Sequence, residues 1–171
     1  ALDMRLREIA KWDGNKLVNR ISGRRISAIL AVHIFGFPAS INEIKKISEY
    51  WKLPLVEDCA EALGSWREGV HCGLTGDIGT LSFNGNKILT TGGGGAIITA
   101  NSSIAKRARH LSTTAKISHP WEYIHDEIAW NDRMPNINAA LGLAQMEKFS
   151  EIIEKKRKLF DTYRQAFKSL N

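Results

Sequence analysis

The sequence predicts an α/β protein with a mixed, mostly parallel sheet and helices on both faces of that sheet. Short runs of aliphatic and β-branched residues alternate with segments of helical periodicity, which is typical of this class. The 171 residues suffice for one domain with a core, and the 43% apolar and 25% charged content is ordinary for a globular protein. No run approaches the ~18 apolar residues of a membrane span. The net charge of +6 comes without a nucleic-acid motif, so we expect neither membrane nor nucleic-acid binding.

The first third of the chain predicts one strand and two helices. A helical segment opens the sequence, and residues 19–25 form a polar connector. The run ISAILAVHI over 26–34 predicts a buried strand. Ser40, with Glu43 three residues later, predicts a capping box at the start of a helix over 41–51.

The middle third predicts three short strands. Residues 53–57 form the first, and 58–63 follow it as a short helix. The polar, glycine-rich stretch 64–79 predicts a loop with one hairpin. Strands over 80–83 and 96–99 then flank a loop that ends in four glycines.

The last third is predicted to be mainly helical. Ser102 or Ser103 caps a helix that runs to residue 111, and an irregular aromatic-rich stretch covers 112–133. A helix over 136–149 and a charged helix over 150–170 follow. The first of these two is predicted to bury an apolar side made of Ile137, Ala140, Leu141, Ala144 and Met146.

Two predicted strand ends carry chemically capable side chains. Asp58 follows the strand over 53–57, and Lys87 follows the strand over 80–83. Functional groups of α/β sheets collect where strands end, so we expect these two side chains to lie on one edge. A lysine that forms a Schiff base and an acid that keeps a pyridine nitrogen protonated are what pyridoxal phosphate (PLP) chemistry requires. The alternatives are a surface lysine in a hairpin loop and a helix-capping aspartate.

Other residues near these strand ends each have two interpretations. Glu61 lies one helical turn after Asp58 and either reaches the 3'-oxygen of the cofactor or is a solvated acid. Ser82 either binds a phosphate oxygen or fills the core. His33 either lines the substrate pocket or is a hydrogen-bonded core histidine. The glycines at 92–95 lack the spacing of a phosphate loop, and a tight turn explains them equally well.

The cysteines and histidines do not predict a metal site. Cys59 and Cys72 have neither metal-motif nor CxxC spacing, and we interpret them as reduced thiols of a cytoplasmic protein. His71 beside Cys72, and His125 beside two acids, lack a third ligand at a suitable spacing.

Four segments together resemble a known family in wording, order and spacing. They are AVHIFGFP (31–38), VEDCAEALGS (56–65), GDIGTLSFNGNKILTTGGGGAIIT (76–99) and NDRMPNINAALGLAQMEK (131–148). They resemble the DegT/DnrJ/EryC1/StrS sugar aminotransferases, which are PLP enzymes of fold type I. The wording SFNGNK and HPWEYIHDE is most similar to the subgroup acting on UDP-linked 4-keto-6-deoxy amino sugars, on routes to legionaminic-type acids.

The resemblance implies a role for five residues. Lys87 matches the lysine that bonds to the cofactor and moves the substrate proton, and Asp58 matches the acid on the pyridine nitrogen. Glu61 stands where many members have glutamine or histidine near the ring hydroxyl. Ser82 matches a phosphate ligand. Asn131 matches an asparagine that reaches the phosphate of the neighbouring subunit's cofactor, which implies a homodimer with shared active sites.

The resemblance also implies a reaction. An amino group from glutamate passes to the keto carbon of a nucleotide-linked 4-keto-6-deoxy sugar, for a bacterial surface polysaccharide or a nonulosonic acid. Such enzymes are roughly twice as long. The chain therefore resembles a central piece, with a partial PLP-binding large domain over 1–149 and a charged helix over 150–171 that leads toward a small C-terminal domain. The alternatives are a catalytically incomplete fragment and a nucleotide-binding α/β module that uses the glycine run.

Overall fold

The computed structural model describes residues 1–170 and builds an α/β fold around one central sheet. The helices are α1 Leu2–Ile9, α2 Ile41–Tyr50, α3 Ser102–Ser112, α4 Asn136–Glu147 and α5 Phe149–Ala166. The strands are β1 Ala10–Asp13, β2 Lys16–Asn19, β3 Ile29–Val32, β4 Leu55–Asp58, β5 Trp66–Arg67, β6 Val70–His71, β7 Ile78–Ser82 and β8 Gly95–Ile98. Among residues 1–170, no helix is long and apolar enough to cross a membrane.

The central sheet has the order β3-β4-β7-β8. The first three strands are parallel, and β8 pairs antiparallel with β7. The α2 helix makes the crossover from β3 to β4, as parallel neighbours require. The connection from β7 to β8 is the loop that carries Lys87. The predicted mixed, mostly parallel sheet is confirmed.

The two faces of the sheet follow from the alternation of side chains along each strand. Ile29 and Leu55 are register partners on one face, where they join a core cluster with Ile41 of α2 and Leu6 of α1. On the other face, Ile97 and Ile78 line an apolar groove together with α3, while Leu30 and Val32 remain 63% and 47% exposed. Helices therefore lie on both faces, as predicted, but they cover the second face only in part.

The hairpin of β1 and β2 is an element that the sequence analysis missed. Ala10 pairs with Asn19 and Asp13 with Lys16, which leaves a two-residue turn of Gly14 and Asn15. Gly14 has φ +57°, a conformation that glycine adopts without strain. The Gly-Asn pair, with Trp12 two residues before it and Leu17 two residues after it, is a hairpin signal that could have identified this element.

Residues 58–63 do not form the predicted helix. Asp58 remains in β4, and the N–H of Cys59 donates to the carbonyl of Thr80 on β7 at 2.9 Å, which extends the ladder. Ala62 and Ser65 then close successive tight turns. Pairing with β7 therefore outweighs the local helical preference. The predicted hairpin within 64–79 is confirmed by β5 and β6.

The predicted caps also differ from the structure. Ser40 precedes α2, but its side chain makes no capping hydrogen bond, so the predicted capping box with Glu43 is wrong. At α3 the cap is Asn101, whose side chain accepts hydrogen bonds from the N–H groups of Ser103 and Ile104. Asparagine caps helices as well as serine does, and the cap therefore lies one residue before the predicted Ser102.

The packing of α4 is the reverse of the predicted one. In the structure of residues 1–170, the predicted apolar side of α4 is exposed to solvent, and Ile137 is 86% exposed. The less exposed residues of α4 are Asn138, Gly142 and Gln145. Apolar periodicity failed here because α4 packs on a backbone segment, which calls for amide groups and close approach.

Cys59 and Cys72 are buried free thiols. Burial, followed by the nearby charge of Glu57, raises the pKa of Cys59 from 9.0 to about 12. At pH 8 this lowers its thiolate fraction roughly 1,000-fold relative to the unfolded chain. We expect Cys59 to resist Ellman's reagent at pH 8 in the folded protein and to react promptly in guanidinium. Rapid modification of Cys59 in the folded state, mapped by mass spectrometry, would contradict this burial.

Candidate active site

Lys87 lies in the loop between β7 and β8, on the side where the parallel strands end. Its backbone N–H donates to the carbonyl of Asn84 at 3.0 Å, which forms a tight turn. The side chain is only 17% exposed, and its Nζ lies 3.6 Å from Oε1 of Glu61. The Lys87 amine is therefore largely buried and paired with Glu61, and it is not a freely solvated surface lysine.

Glu61 connects the lysine loop to the end of β3. Its Oε2 accepts a hydrogen bond of 2.7 Å from the backbone N–H of Phe35, while its Oε1 faces Lys87. Phe35 has φ +54°, a left-handed conformation that is strained for a bulky residue. The bond to Glu61 helps to fix this turn. One carboxylate thus brings together a strand end and the amine.

Asp58 is the last residue of β4, in the interior of the sheet. Its register partners are Val32 on β3 and Thr80 on β7. These three side chains project to the same face, where Val32 is half-exposed, so the Asp58 carboxylate is accessible from solvent. Its Oδ1 accepts the Ala60 N–H at 3.0 Å, which forms an Asx turn. Because no helix follows, the helix-capping alternative for Asp58 is wrong.

Ser82 lies two residues after Thr80 on β7 and therefore projects to the same face as Asp58. Its Oγ accepts only a long hydrogen bond of 3.4 Å from the Asn84 N–H, so the hydroxyl can still bind another group. The carboxylate of Asp58 can accept a hydrogen bond from the protonated pyridine nitrogen of PLP, the Ser82 hydroxyl can donate to its phosphate, and the Lys87 amine can react with its aldehyde. The residues present therefore fit this cofactor.

The glycine run leads into a strand and not into a helix. Gly92 and Gly94 have φ +80° and +96°, and Gly95 begins β8. A backbone of this kind forms a tight turn and does not point a helix N-terminus at a phosphate. The geometry therefore disfavours the nucleotide-binding module.

Asn131 makes no described contact with Lys87, Glu61 or Asp58. It is exposed and forms an isolated antiparallel bridge with Thr113. Within residues 1–170, none of its hydrogen bonds joins it to Lys87 or Asp58. Its predicted role, which requires a second subunit, stays a prediction.

His33 lies in the core, paired with a residue that the sequence analysis missed. Its Nδ1 accepts the Ala39 N–H at 3.1 Å, so the proton sits on Nε2, which donates to Oε2 of Glu57 at 2.9 Å. Both side chains are fully buried. This arrangement fits the core interpretation of His33, and both ring nitrogens are already engaged.

The Glu57 carboxylate also organises the chain that follows the β5–β6 hairpin. It accepts backbone N–H groups from Gly73 at 2.9 Å, Thr75 at 2.8 Å and Gly76 at 2.5 Å. Glu57 and Asp58 are sequence neighbours on opposite faces of β4, so one carboxylate fixes the strand and the other faces solvent. The signal was available: Glu57 follows the buried Leu55 at an inward-facing strand position.

The other histidines named above make backbone contacts. Nε2 of His71 accepts the Gly64 N–H at 2.9 Å, and Nδ1 of His125 donates to the carbonyl of Thr114 at 2.6 Å. His110, Asp126 and Glu127 do lie close enough to share an ion. Arg107 already balances the charge of this half-buried group, since it forms a bidentate pair with Glu127.

Comparisons with known proteins show the family of the chain. The model of the DegT/DnrJ/EryC1/StrS aminotransferase family matches residues 8–171. GDP-perosamine synthase of Escherichia coli O157:H7 is 40% identical over 146 residues, which are 85% of this chain and 40% of that protein. EpsN of Bacillus subtilis (strain 168), whose name assigns it provisionally to the pyridoxal phosphate-dependent aminotransferases, is 37% identical over 88% of this chain and 38% of its own length.

A solved structure extends the likeness to the fold. Helicobacter pylori PseC, an aminotransferase involved in the biosynthesis of pseudoaminic acid, superposes with a TM-score of 0.81 at 26% identity. The match covers 87% of this chain and 40% of PseC. The chain thus spans about 40% of the length of the relatives that it matches.

Proposed function

The chain belongs to the DegT/DnrJ/EryC1/StrS aminotransferase family, and from this premise we propose that the protein containing it is a PLP-dependent nucleotide-sugar aminotransferase. The proposal rests on one arrangement of side chains. The Lys87 amine is paired with Glu61 at 3.6 Å, in the loop that follows β7, and Asp58 and Ser82 project from one face of the sheet where β4 and β7 end. Amine, acid and hydroxyl there have the chemistry that the cofactor's three polar ends require.

Four residues have roles in this proposal. Lys87 attaches the cofactor covalently, Asp58 pairs with the pyridine nitrogen, Ser82 binds the phosphate and Glu61 lies near the ring oxygen. When bound, PLP supplies an electron sink and carries the amino group from donor to acceptor. The Lys87 amine would take a proton from the substrate carbon and deliver the same proton to C4' of the cofactor. Glu61, 3.6 Å from Nζ, would hold the Lys87 side chain in place by ion pairing.

The substrates follow from the relatives' names and the resemblance. GDP-perosamine synthase and PseC are named for products of amino-sugar biosynthesis. We propose that glutamate gives the amino group and that the keto carbon of a nucleotide-linked 4-keto-6-deoxy sugar receives it. The test is to supply PLP, glutamate and a panel of GDP-, UDP- and TDP-linked 4-keto-6-deoxy sugars, and to follow 2-oxoglutarate and aminosugar by mass spectrometry. Bound cofactor without aminosugar from any member of the panel would contradict the substrate class.

We propose that the protein works as a homodimer in which Asn131 serves the partner's site. The surrounding segment supports this, since Trp121, Tyr123 and Ile128 are largely exposed and would be covered by a second copy. We also propose that residues 1–149 are part of a PLP-binding large domain and that 150–171 lead toward a small domain. The contact of Phe149 and Ile153, at the start of α5, with the Gly64 turn supports a boundary at this point of the chain.

The substitution Asp58→Asn tests the acid. A carboxylate near a basic nitrogen typically raises the pKa of that nitrogen by 1–3 units, so we expect the neutral amide to lower amino transfer about 10- to 1,000-fold. The asparagine can still accept the Ala60 N–H, and the fold should survive. Single-turnover rates with glutamate measure the effect, and unfolding in urea controls for stability. Unchanged transfer in Asp58→Asn would remove Asp58 from the site.

A further inference from the structure

The α4 helix has one partly buried stripe, and it is not apolar. Asn138, Gly142 and Gln145 are the three residues of α4 that are not exposed. They are spaced by four and three residues, so they form a single line along the helix. The stripe shows which surface α4 packs against within residues 1–170.

All three members of the stripe contact the same two residues, Thr90 and Thr91. Oε1 of Gln145 accepts the Thr90 N–H at 3.0 Å, and Nδ2 of Asn138 donates to the Thr91 carbonyl at 2.5 Å. A Cβ on Gly142 would stand 2.7 Å from the Thr91 methyl group, so glycine permits this close approach.

Thr90 and Thr91 belong to the loop that carries Lys87. Towards the sheet, the Thr91 N–H donates to the carbonyl of Phe83 at 3.0 Å, which closes the base of the loop. Leu89 and Thr91 are buried, and the stripe on α4 provides the other anchor. The loop is thus fixed between the end of β7 and one helix.

We propose that Asn138 and Gln145 are positioning residues that set the place of Lys87 at the candidate site. The role in catalysis rests on the proposed function, but the anchoring of the loop does not. The chemistry of the two bonds is opposite: a backbone N–H can only donate and a carbonyl can only accept. Position 145 therefore requires an acceptor and position 138 requires a donor, independent of how the oxygen and nitrogen of each side-chain amide are assigned.

This asymmetry gives a matched test. Gln145→Glu and Asn138→Asp add the same charge to the same stripe, but only the first retains the required hydrogen-bonding group. Asn136→Asp makes the same chemical change at an exposed position of α4 and serves as the control. Gln145→Leu preserves volume, adds no charge and lacks the acceptor, so it tests the bond by a second route.

Two readouts separate the anchor from the proposed function. Amide hydrogen exchange over residues 84–95 needs no cofactor, and the rate of PLP labelling at Lys87, trapped with cyanoborohydride, reports the position of the amine. We expect Asn138→Asp and Gln145→Leu to speed exchange and to slow Lys87 labelling by about tenfold, since each leaves a backbone group unpaired. Gln145→Glu and Asn136→Asp should stay within about twofold of the parent chain.

The outcomes distinguish the two claims. Equal effects of Gln145→Glu and Asn138→Asp, whether both harmless or both harmful, would overturn the positioning role. If Asn138→Asp did not fold, Gln145→Leu against Gln145→Glu would decide the same question. A parent chain that did not label at Lys87 would contradict the proposed function, while the exchange comparison would still decide whether α4 anchors the loop.

Discussion

Replacing Lys87 by alanine is expected to lower amino transfer by at least about 10²–10⁴-fold, which is the usual contribution of one positioned proton-transfer group. The covalent attachment of the cofactor should be lost as well. The fold should be little affected, because the ion pair with Glu61 is partly exposed and such pairs contribute about 0–1 kcal/mol. Single-turnover conversion of glutamate to 2-oxoglutarate measures the loss, and the urea midpoint measures stability.

The matched control for this prediction is Lys106→Ala, which removes an exposed lysine on α3. It should transfer amino groups at the parent rate. Lys87→Arg is a second variant, since it keeps the positive charge beside Glu61 but has no free amine. If Lys87→Arg transferred amino groups normally, charge and not the amine would be the property that matters, and the assignment of Lys87 would be wrong.

Replacing Glu57 by alanine is expected to lower the free energy of unfolding by at least about 3 kcal/mol, because each buried donor left without an acceptor costs about 1–3 kcal/mol. Three backbone N–H groups, from Gly73, Thr75 and Gly76, would lose their acceptor, and so would Nε2 of His33. Equilibrium unfolding in urea measures the change. Hydrogen exchange should localise it to residues 73–76 and the end of β3.

Glu57→Gln is the graded control. Its amide keeps one acceptor oxygen but turns a second group into a donor that faces N–H groups, so we expect an intermediate loss of stability. The order parent, Gln, Ala is the expected result. A Glu57→Ala protein within about 1 kcal/mol of the parent would show that this network does not hold the chain around the site.

The sequence was sufficient where local pattern and long-range packing agree. Aliphatic runs predicted the four strands of the central sheet, and the residues that end two of them, Asp58 and Lys87, lie at one edge as expected. It was misleading at 58–63, because the bond between Cys59 and Thr80 joins segments that are distant in the chain. Local secondary-structure propensity does not include such long-range strand pairing.

The site's supporting residues were harder to predict. Glutamate is usually a surface residue. The burial of Glu57 is explained only by the folded structure, in which N–H groups of residues 73–76 and His33 donate to its carboxylate. Asn138 and Gln145 were missed because periodicity analysis searches for apolar stripes, whereas α4 packs on a peptide backbone. Supporting residues that act on backbone groups leave little trace in hydrophobic patterning.

The central claim is that this site holds PLP on Lys87, and one measurement tests it directly. The protein is incubated with PLP, reduced with borohydride, digested and mapped by mass spectrometry. The account predicts about one phosphopyridoxyl group per chain, located on Lys87 and lost in Lys87→Ala. Label scattered over surface lysines, or no label, would contradict it and would indicate a catalytically incomplete chain that shares only the fold of its family.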